Sequence, residues 1–376
     1  MEKVRIGVVG PSWWFDFWHL PAIQNHPEAE LSAICSARPR SEEDAAQRYG
    51  KEAACYTDRT RMMENAALDG VIVCTPNDLH YPVTMEALKH NLPVLCEKPV
   101  ALNAEQAREM ARTAAERNLL AMSSFPYRGN PAILEFRRLV KDGYLGLLIH
   151  VSAEYHGAYG LDRPPNWRGS RSRSGSGILG DLGSHLIDLV RFTVCQEFVS
   201  VCSNNITLLR DPQTGVLQEL ISTEDPRAGD RNDDSCMFLA LLSGGAQAML
   251  HTSWVALQGE YWQTQEIEAY GTEGRLRFSA NHLGTGLWGM KRGEKRLEAI
   301  PVENIVTPDS GQPPSQDNFR PGRGASNSVT WRWIDSLLKK DHYQSPSLQD
   351  GYITQLVSDA VLSADRTGAW VEIENM

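Results

Sequence analysis

"GVVGPSWWFDFWHLPA", residues 7–22, decides how the chain is to be folded, because it completes a short apolar run, "VRIGVVG", at residues 4–10. A strand that ends on a glycine at the start of a chain is where a nucleotide-binding sheet makes its first turn. The dinucleotide fingerprint sets glycines at Gly10, two positions on, and three beyond that; here those positions hold Gly10, Ser12 and Phe15. Gly10 keeps the tight turn. Ser12 is small enough to let the backbone near a pyrophosphate and has a hydroxyl to donate to it. Phe15 sets a ring where glycine allows the tightest helix-to-strand packing, so the helix is expected to sit farther out. Trp13 and Trp14 either cover a cofactor or substrate entrance or pack into the core.

The pattern beyond this stretch supports a cofactor sheet. Up to about Ser124, apolar runs ("AELSAIC", "GVIVC", "LPVLC", "NLLAMSS") alternate with helix-like segments ("SEEDAAQRYG", "DLHYPVTMEALKH", "NAEQAREMARTAAERN"). Runs this apolar, spaced by helices, predict an α/β fold: a doubly wound parallel sheet over residues 1–125, with ligands collecting at the carboxyl ends of its strands. Residues 126–376 read as a second, α+β domain. A helix over "NPAILEFRRLVKDG" precedes a long extended run, "LLIHVSAEYH". Hairpins are expected around Gly244–Gly245 and around Thr272–Gly274, giving an open, mostly antiparallel sheet with helices on one face. Arg210–Asp233 and Thr307–Ser326 read as long loops, and no internal repeat is found. An open sheet face with apolar alternation favours a homodimer or homotetramer.

With 37 basic and 47 acidic side chains in 376 residues, the net charge of -10 opposes binding to nucleic acid or to an anionic membrane. One local exception, "RGSRSRSG" at residues 168–175, is either a phosphate-holding loop or a solvated one. Seven scattered cysteines without a CxxC pair fit a reducing compartment. Glu2 and Asp16 interrupt any hydrophobic leader, so a cytoplasmic protein is expected.

Three stretches carry chemistry. In "CTPNDLH", residues 74–80, Thr75 and Asn77 either bond a ribose or nicotinamide amide from the strand end, or Asn77 or Asp78 caps the next helix. In "CEKP", residues 96–99, the proline restricts Lys98 to an extended conformation. Its ammonium is then placed to stabilise a developing alkoxide, unless Glu97 and Lys98 are a plain surface ion pair. In "GILGDLGSHLIDL", residues 177–189, Asp181, His185 and Asp188 fall at i, i+4 and i+7, one face if the segment is helical. A histidine near a helix start is kept neutral, as a base must be, although an acid and a histidine one turn apart can also be structural. A metal site is disfavoured, because these three offer no further partner such as a second histidine at helical spacing.

Together these stretches, with "YRGNPA" from Tyr127, "NWRG" from Asn166, "YGTEG" from Tyr270 and the closing "RTGAWVEI", resemble the glucose-fructose oxidoreductase and inositol dehydrogenase (Gfo/Idh/MocA) family over essentially the whole chain. The resemblance implies a Rossmann domain joined to an open-faced sheet domain, with the nicotinamide of NAD or NADP between them. It implies Lys98, Asp181 and His185 as the catalytic set: His185 accepts the hydroxyl proton, Lys98 polarises the oxygen, and Asp181 orients the sugar or relays the proton. It implies a cis Lys98–Pro99 bond. Cofactor contacts are expected from Gly10, Ser12, Trp13, Trp14, Ser36, Arg38, Thr75, Asn77, His80, Glu97, Trp167 and Arg168. Tyr127, Arg128, Tyr155 and His156 join Lys98, Asp181 and His185 as candidates to line the pocket of a carbohydrate or polyol.

Departures from the family pattern matter too. Pro126 stands where many relatives carry asparagine, and "CSARPRS", residues 35–41, lacks the acid that grips the ribose of NAD. Ser36, Arg38 and Arg40 tilt the expectation toward NADP. The leading expectation is an NAD(P)-dependent sugar or polyol dehydrogenase. Its alternatives are a glycosidase that uses bound nicotinamide transiently and, less favoured because lysine and histidine are both present, a cofactor-sensing regulator.

Overall fold

The computed structural model describes residues 3–37, 47–50, 53–162, 166–211, 216–259, 262–313, 315–320, 324, 326–342 and 344–373. It divides into two compact units, Met1–Pro126 with Gly322–Gln355 and Tyr127–Pro321 with Leu356–Met376. A single cut at residue 125 therefore misses a return of the chain. The helix Val329–Lys339 turns Val329, Trp333 and Ile334 into the apolar cluster that holds Ile6, Ile72 and Leu95. Gly70 makes room for it: a Cβ there would lie 2.7 Å from Trp333 Cζ2.

In the first unit, β1 (Val4–Val9), β2 (Ala29–Cys35), β3 (Ala54–Tyr56), β4 (Gly70–Val73), β5 (Val94–Glu97) and β6 (Ala121–Ser124) form a parallel sheet in the order β3-β2-β1-β4-β5-β6. Every residue of β4, β5 and β6 is buried, as strands covered on both faces require. The helices His80–Lys89 and Ala104–Glu116 fall where the sequence sets them. The helix expected over "SEEDAAQRYG" lies largely outside the described residues. Strand order reverses at β1, so the carboxyl ends of β1 and β4 flank the crevice where such sheets take ligands.

The second unit holds a mixed sheet of β7 (Leu148–Gly157), β8 (Phe198–Arg210), β9 (Leu217–Ser222), β10 (Ser235–Leu242), β11 (Gln247–Ser253), β12 (Gln263–Gly271), β13 (Gly274–Asn281), β14 (Gly284–Lys291), β15 (Glu298–Ala299) and β16 (Val371–Glu372). All pairings are antiparallel except β7 with β11. Both expected hairpins are present, β10–β11 and β12–β13. The expected loop Arg210–Asp233 instead contains β9, paired to β8; five of its six residues are exposed, so it shows none of the alternation that marks a half-buried strand. One sheet face carries Val151, Ala153 and Tyr155 into a core shared with Ile133 and Phe136 of the helix Pro131–Lys141 and with Leu186 and Val190 of the helix Ser184–Val194. Met237, Leu239, Leu241 and Met249 are exposed.

Candidate active site

Gly10 adopts φ +79°, and a Cβ there would lie 2.7 Å from Thr75 Cγ2 and 2.8 Å from its Cα. Only glycine lets the ends of β1 and β4 approach this closely. Beside it, Thr75 Oγ1 is buried with no hydrogen-bond partner among the described residues. A buried polar atom left without a partner at a ligand crevice calls for a ligand group, so Thr75 fits a cofactor hydroxyl or amide. Asn77 is buried in the turn Asn77–Leu79, which leads directly into the helix His80–Lys89. Ser12 Oγ lies 3.7 Å from Cys74 Sγ. Ser36 donates its backbone N–H to Tyr56 O at 3.0 Å; Arg38 and Arg40 lie outside the described residues.

The fingerprint's last position is met by a change of backbone. Phe15–His19 forms a π-helical turn, closed by Leu20 N–H donating to Phe15 O, and the Phe15 ring is wholly buried. Wide turns of this kind recur at functional sites. Trp13 is exposed, whereas Trp14 turns inward, stacks on Trp18 at 5.8 Å and donates from Nε1 to Glu97 Oε1 at 2.9 Å.

Glu97 and Lys98 are not a surface pair. Glu97 is 5% exposed and accepts from Trp14, from His19 Nε2 at 2.9 Å and from the Lys98 backbone N–H at 3.1 Å. Burial pushes its carboxyl up, but the His19 hydrogen bond and the charges of His19 and Lys98 outweigh this and bring it down to about 2. Glu97, expected among the cofactor contacts, thus accepts from protein groups on both oxygens. Lys98 is half-buried, and its bond to Pro99 is cis. His80 lies at the same turn, with Nδ1 2.7 Å from Pro99 O and Nε2 2.9 Å from Thr75 O.

In the second unit, Asp181 lies in a π-helical turn, Leu179–Gly183, that runs into the helix Ser184–Val194. His185 and Asp188 lie within that helix, so the α spacing on which the one-face expectation rests applies between them, while Asp181 precedes it in the π-helical turn. Asp181 Oδ2 accepts from Tyr159 Oη at 2.7 Å, and Oδ1 lies 3.7 Å from Arg168 Nε. Arg168 stacks over Trp167 at 4.4 Å. The His185 ring is 4% exposed and stands edge-on to Tyr127 with centroids 4.7 Å apart. Asp188 holds Arg128 in a buried ion pair, with Nε 2.9 Å from Oδ2.

The structure separates other residues that the sequence groups. Tyr155 and His156 are consecutive on β7 and so face opposite sides of the sheet. Tyr155 is buried against Tyr127, hydroxyls 2.7 Å apart, on the side of His185. His156 Nε2 meets His251 Nδ1 at 3.0 Å on the other side, away from His185. The arginine-serine loop holds an anion of the chain itself: Ser170 Oγ donates to Asp230 Oδ2 at 2.6 Å, and the Ser172 backbone N–H to Oδ1 at 2.8 Å. Among the described residues no group of three His, Cys, Asp or Glu is placed to hold a metal ion, and no helix is long and apolar enough to cross a membrane.

Residues 4–125 match the model of the oxidoreductase family with an NAD-binding Rossmann fold, and residues 133–277 match the GFO/IDH/MocA C-terminal domain. The chain belongs to the Gfo/Idh/MocA oxidoreductase family. Among its relatives, the levoglucosan dehydrogenase of Pseudarthrobacter phenanthrenivorans is 25% identical over 398 aligned positions, covering 99% of both chains. The inositol 2-dehydrogenase of Rhizobium meliloti is 27% identical, covering 73% of this chain and 74% of its own. The crystal structure of an oxidoreductase domain protein from Kribbella flavida superposes with a TM-score of 0.83 at 25% identity, covering 100% of each chain.

Two groups of residues at the Gfo/Idh/MocA motifs escape sequence reasoning. Tyr159 reaches Asp181 across 22 positions, and His19 reaches Glu97 across 78, with Nδ1 2.8 Å from Thr330 Oγ1 of the returning helix. No spacing rule links partners that only tertiary folding brings together. The signal available for His19 is its place in the opening stretch, five residues after Trp14, which shares its acceptor.

Proposed function

We propose that this family member oxidises a secondary hydroxyl of a sugar, cyclitol or glycoside, with NAD(P) as hydride acceptor and Lys98, Asp181 and His185 as the catalytic set. The observation that carries this reading is the setting of Asp181: a carboxylate held by Tyr159 on one oxygen and facing Arg168 with the other, four residues before His185. A carboxylate so fixed orients a polyhydroxylated substrate or takes a proton onward. The nicotinamide, when bound, takes the hydride. His185 accepts the hydroxyl proton from an aromatic pocket, and Lys98 stabilises the charge that develops on the oxygen. The named activities of the levoglucosan and inositol relatives support a carbohydrate or cyclitol as substrate.

At the cofactor's adenosine end, Ser36 and Arg38 in place of an acid favour NADP. The exposed row Met237, Leu239, Leu241 and Met249 supports self-association as a homodimer or homotetramer, and seven cysteines free of disulfides support a cytoplasmic setting. The test is a panel of sugars, inositols and glycosides against both oxidised cofactors, following reduced nicotinamide and product together. Equal accumulation of the two supports a dehydrogenase; product without reduced cofactor points to the transient-redox glycosidase instead.

A further inference from the structure

Three donors from two parts of the first unit converge on the Glu97 carboxylate. Trp14 Nε1 and His19 Nε2, at the start and end of the π-helical turn after β1, both lie 2.9 Å from Oε1. The Lys98 backbone N–H lies 3.1 Å from Oε2. His19 is itself fixed, because its Nδ1 meets Thr330 Oγ1 of the returning helix at 2.8 Å. A carboxylate oxygen at neutral pH only accepts, so His19 Nε2 carries a hydrogen and donates it to Glu97. Glu97 is therefore a rigid link, with one oxygen on the cofactor turn and the other on the lysine's own backbone.

We propose that Glu97 is a positioning residue which, through Trp14 and His19, ties the cofactor turn to Lys98 and sets where its ammonium stands. The assignment rests on Lys98 being catalytic. It also accounts for the lost fingerprint glycines. A turn built on Gly-x-x-Gly is fixed by close backbone packing; this one is filled with aromatic rings, Trp14 stacked on Trp18 and Phe15 wholly buried, and needs another anchor. The Glu97 carboxylate supplies it. The burial that makes an unpartnered carboxylate costly makes three charge-assisted hydrogen bonds strong, and the charge persists far below neutral pH.

The experiment needs no substrate. Lys98 in the NADH-bound protein is labelled with acetic anhydride, and its rate is read by mass spectrometry for the wild type, Trp14→Phe, which keeps the aromatic stack but deletes the donor, and Glu97→Gln. The Lys98 rate is expected to change by about threefold or more in both variants, the effect of one lost hydrogen bond, while lysines of the second unit label unchanged. In the double variant the effect should not exceed that of Glu97→Gln alone. The Trp14 indole N–H resonance should shift upfield in Glu97→Gln. Wild-type Lys98 labelling in a folded Trp14→Phe protein would overturn the proposal, even if Glu97→Gln does not fold. Turnover by Lys98→Ala at the wild-type rate would instead overturn the catalytic role of the lysine, an outcome that labelling does not touch.

Discussion

Tyr159 donates its hydroxyl to Asp181 Oδ2 at 2.7 Å, and burial, followed by the nearby Asp181 charge, holds that phenol far above its ordinary range. The tyrosine is thus a permanent donor that fixes one carboxylate oxygen of a proposed catalytic residue. Tyr159→Phe is expected to lower kcat about 10-fold, the scale of one hydrogen bond to a charged group, with cofactor affinity unchanged. Steady-state kinetics on the best substrate of the panel, with a cofactor titration beside it, checks this.

The buried pair Arg128–Asp188 answers to stability. Each side chain is at most 4% exposed, so removing one partner strands a buried charge. Arg128→Ala is expected to cost about 3–5 kcal/mol, and replacing both partners with apolar residues considerably less. Urea denaturation of the single and double variants measures the difference. Equal losses would remove the ion pair as the cause.

His156 gives the protein an acid-sensitive edge. Its burial, then the neighbouring His251, lowers it from 6.5 to about 4, with Glu266 opposing. Between those values the unfolded chain binds more protons at this site than the folded one, so stability falls as pH drops from about 6.5 to about 4 and the loss is complete below that. His156→Gln should flatten this stretch of the stability profile. Thermal melts across that range, at constant ionic strength, supply the measurement.

The proposed preference for NADP rests on the residues that follow β2. Binding titrations with the two oxidised cofactors are expected to favour NADP, and Arg38→Ala to weaken NADP selectively. A clear preference for NAD in the wild type would end the case for a 2′-phosphate site.

The parallel sheet is legible in "GVIVC" and "LPVLC" because strands covered on both faces show apolar side chains at every position. β9 is not legible, since a strand exposed at five of its six positions carries no alternation. A helical stripe shows that Val329, Trp333 and Ile334 are buried but not against which sheet, and so the return of Gly322–Gln355 stays hidden. Lys98, Asp181 and His185 stand out because each sits in a compact motif. Their supports do not: the sequence leaves a surface ion pair of Glu97 with Lys98 open, and only His19, Trp14 and burial close that alternative. The opposite facing of Tyr155 and His156 follows from strand alternation alone and is legible without coordinates.

The most direct test of the dehydrogenase assignment is single-turnover hydride transfer in His185→Ala and Lys98→Ala beside the wild type, with cofactor affinity measured on the same proteins. Each variant is expected to bind cofactor as the wild type does and to transfer hydride slower by about two to four orders of magnitude. Wild-type rates in either one would contradict the assignment.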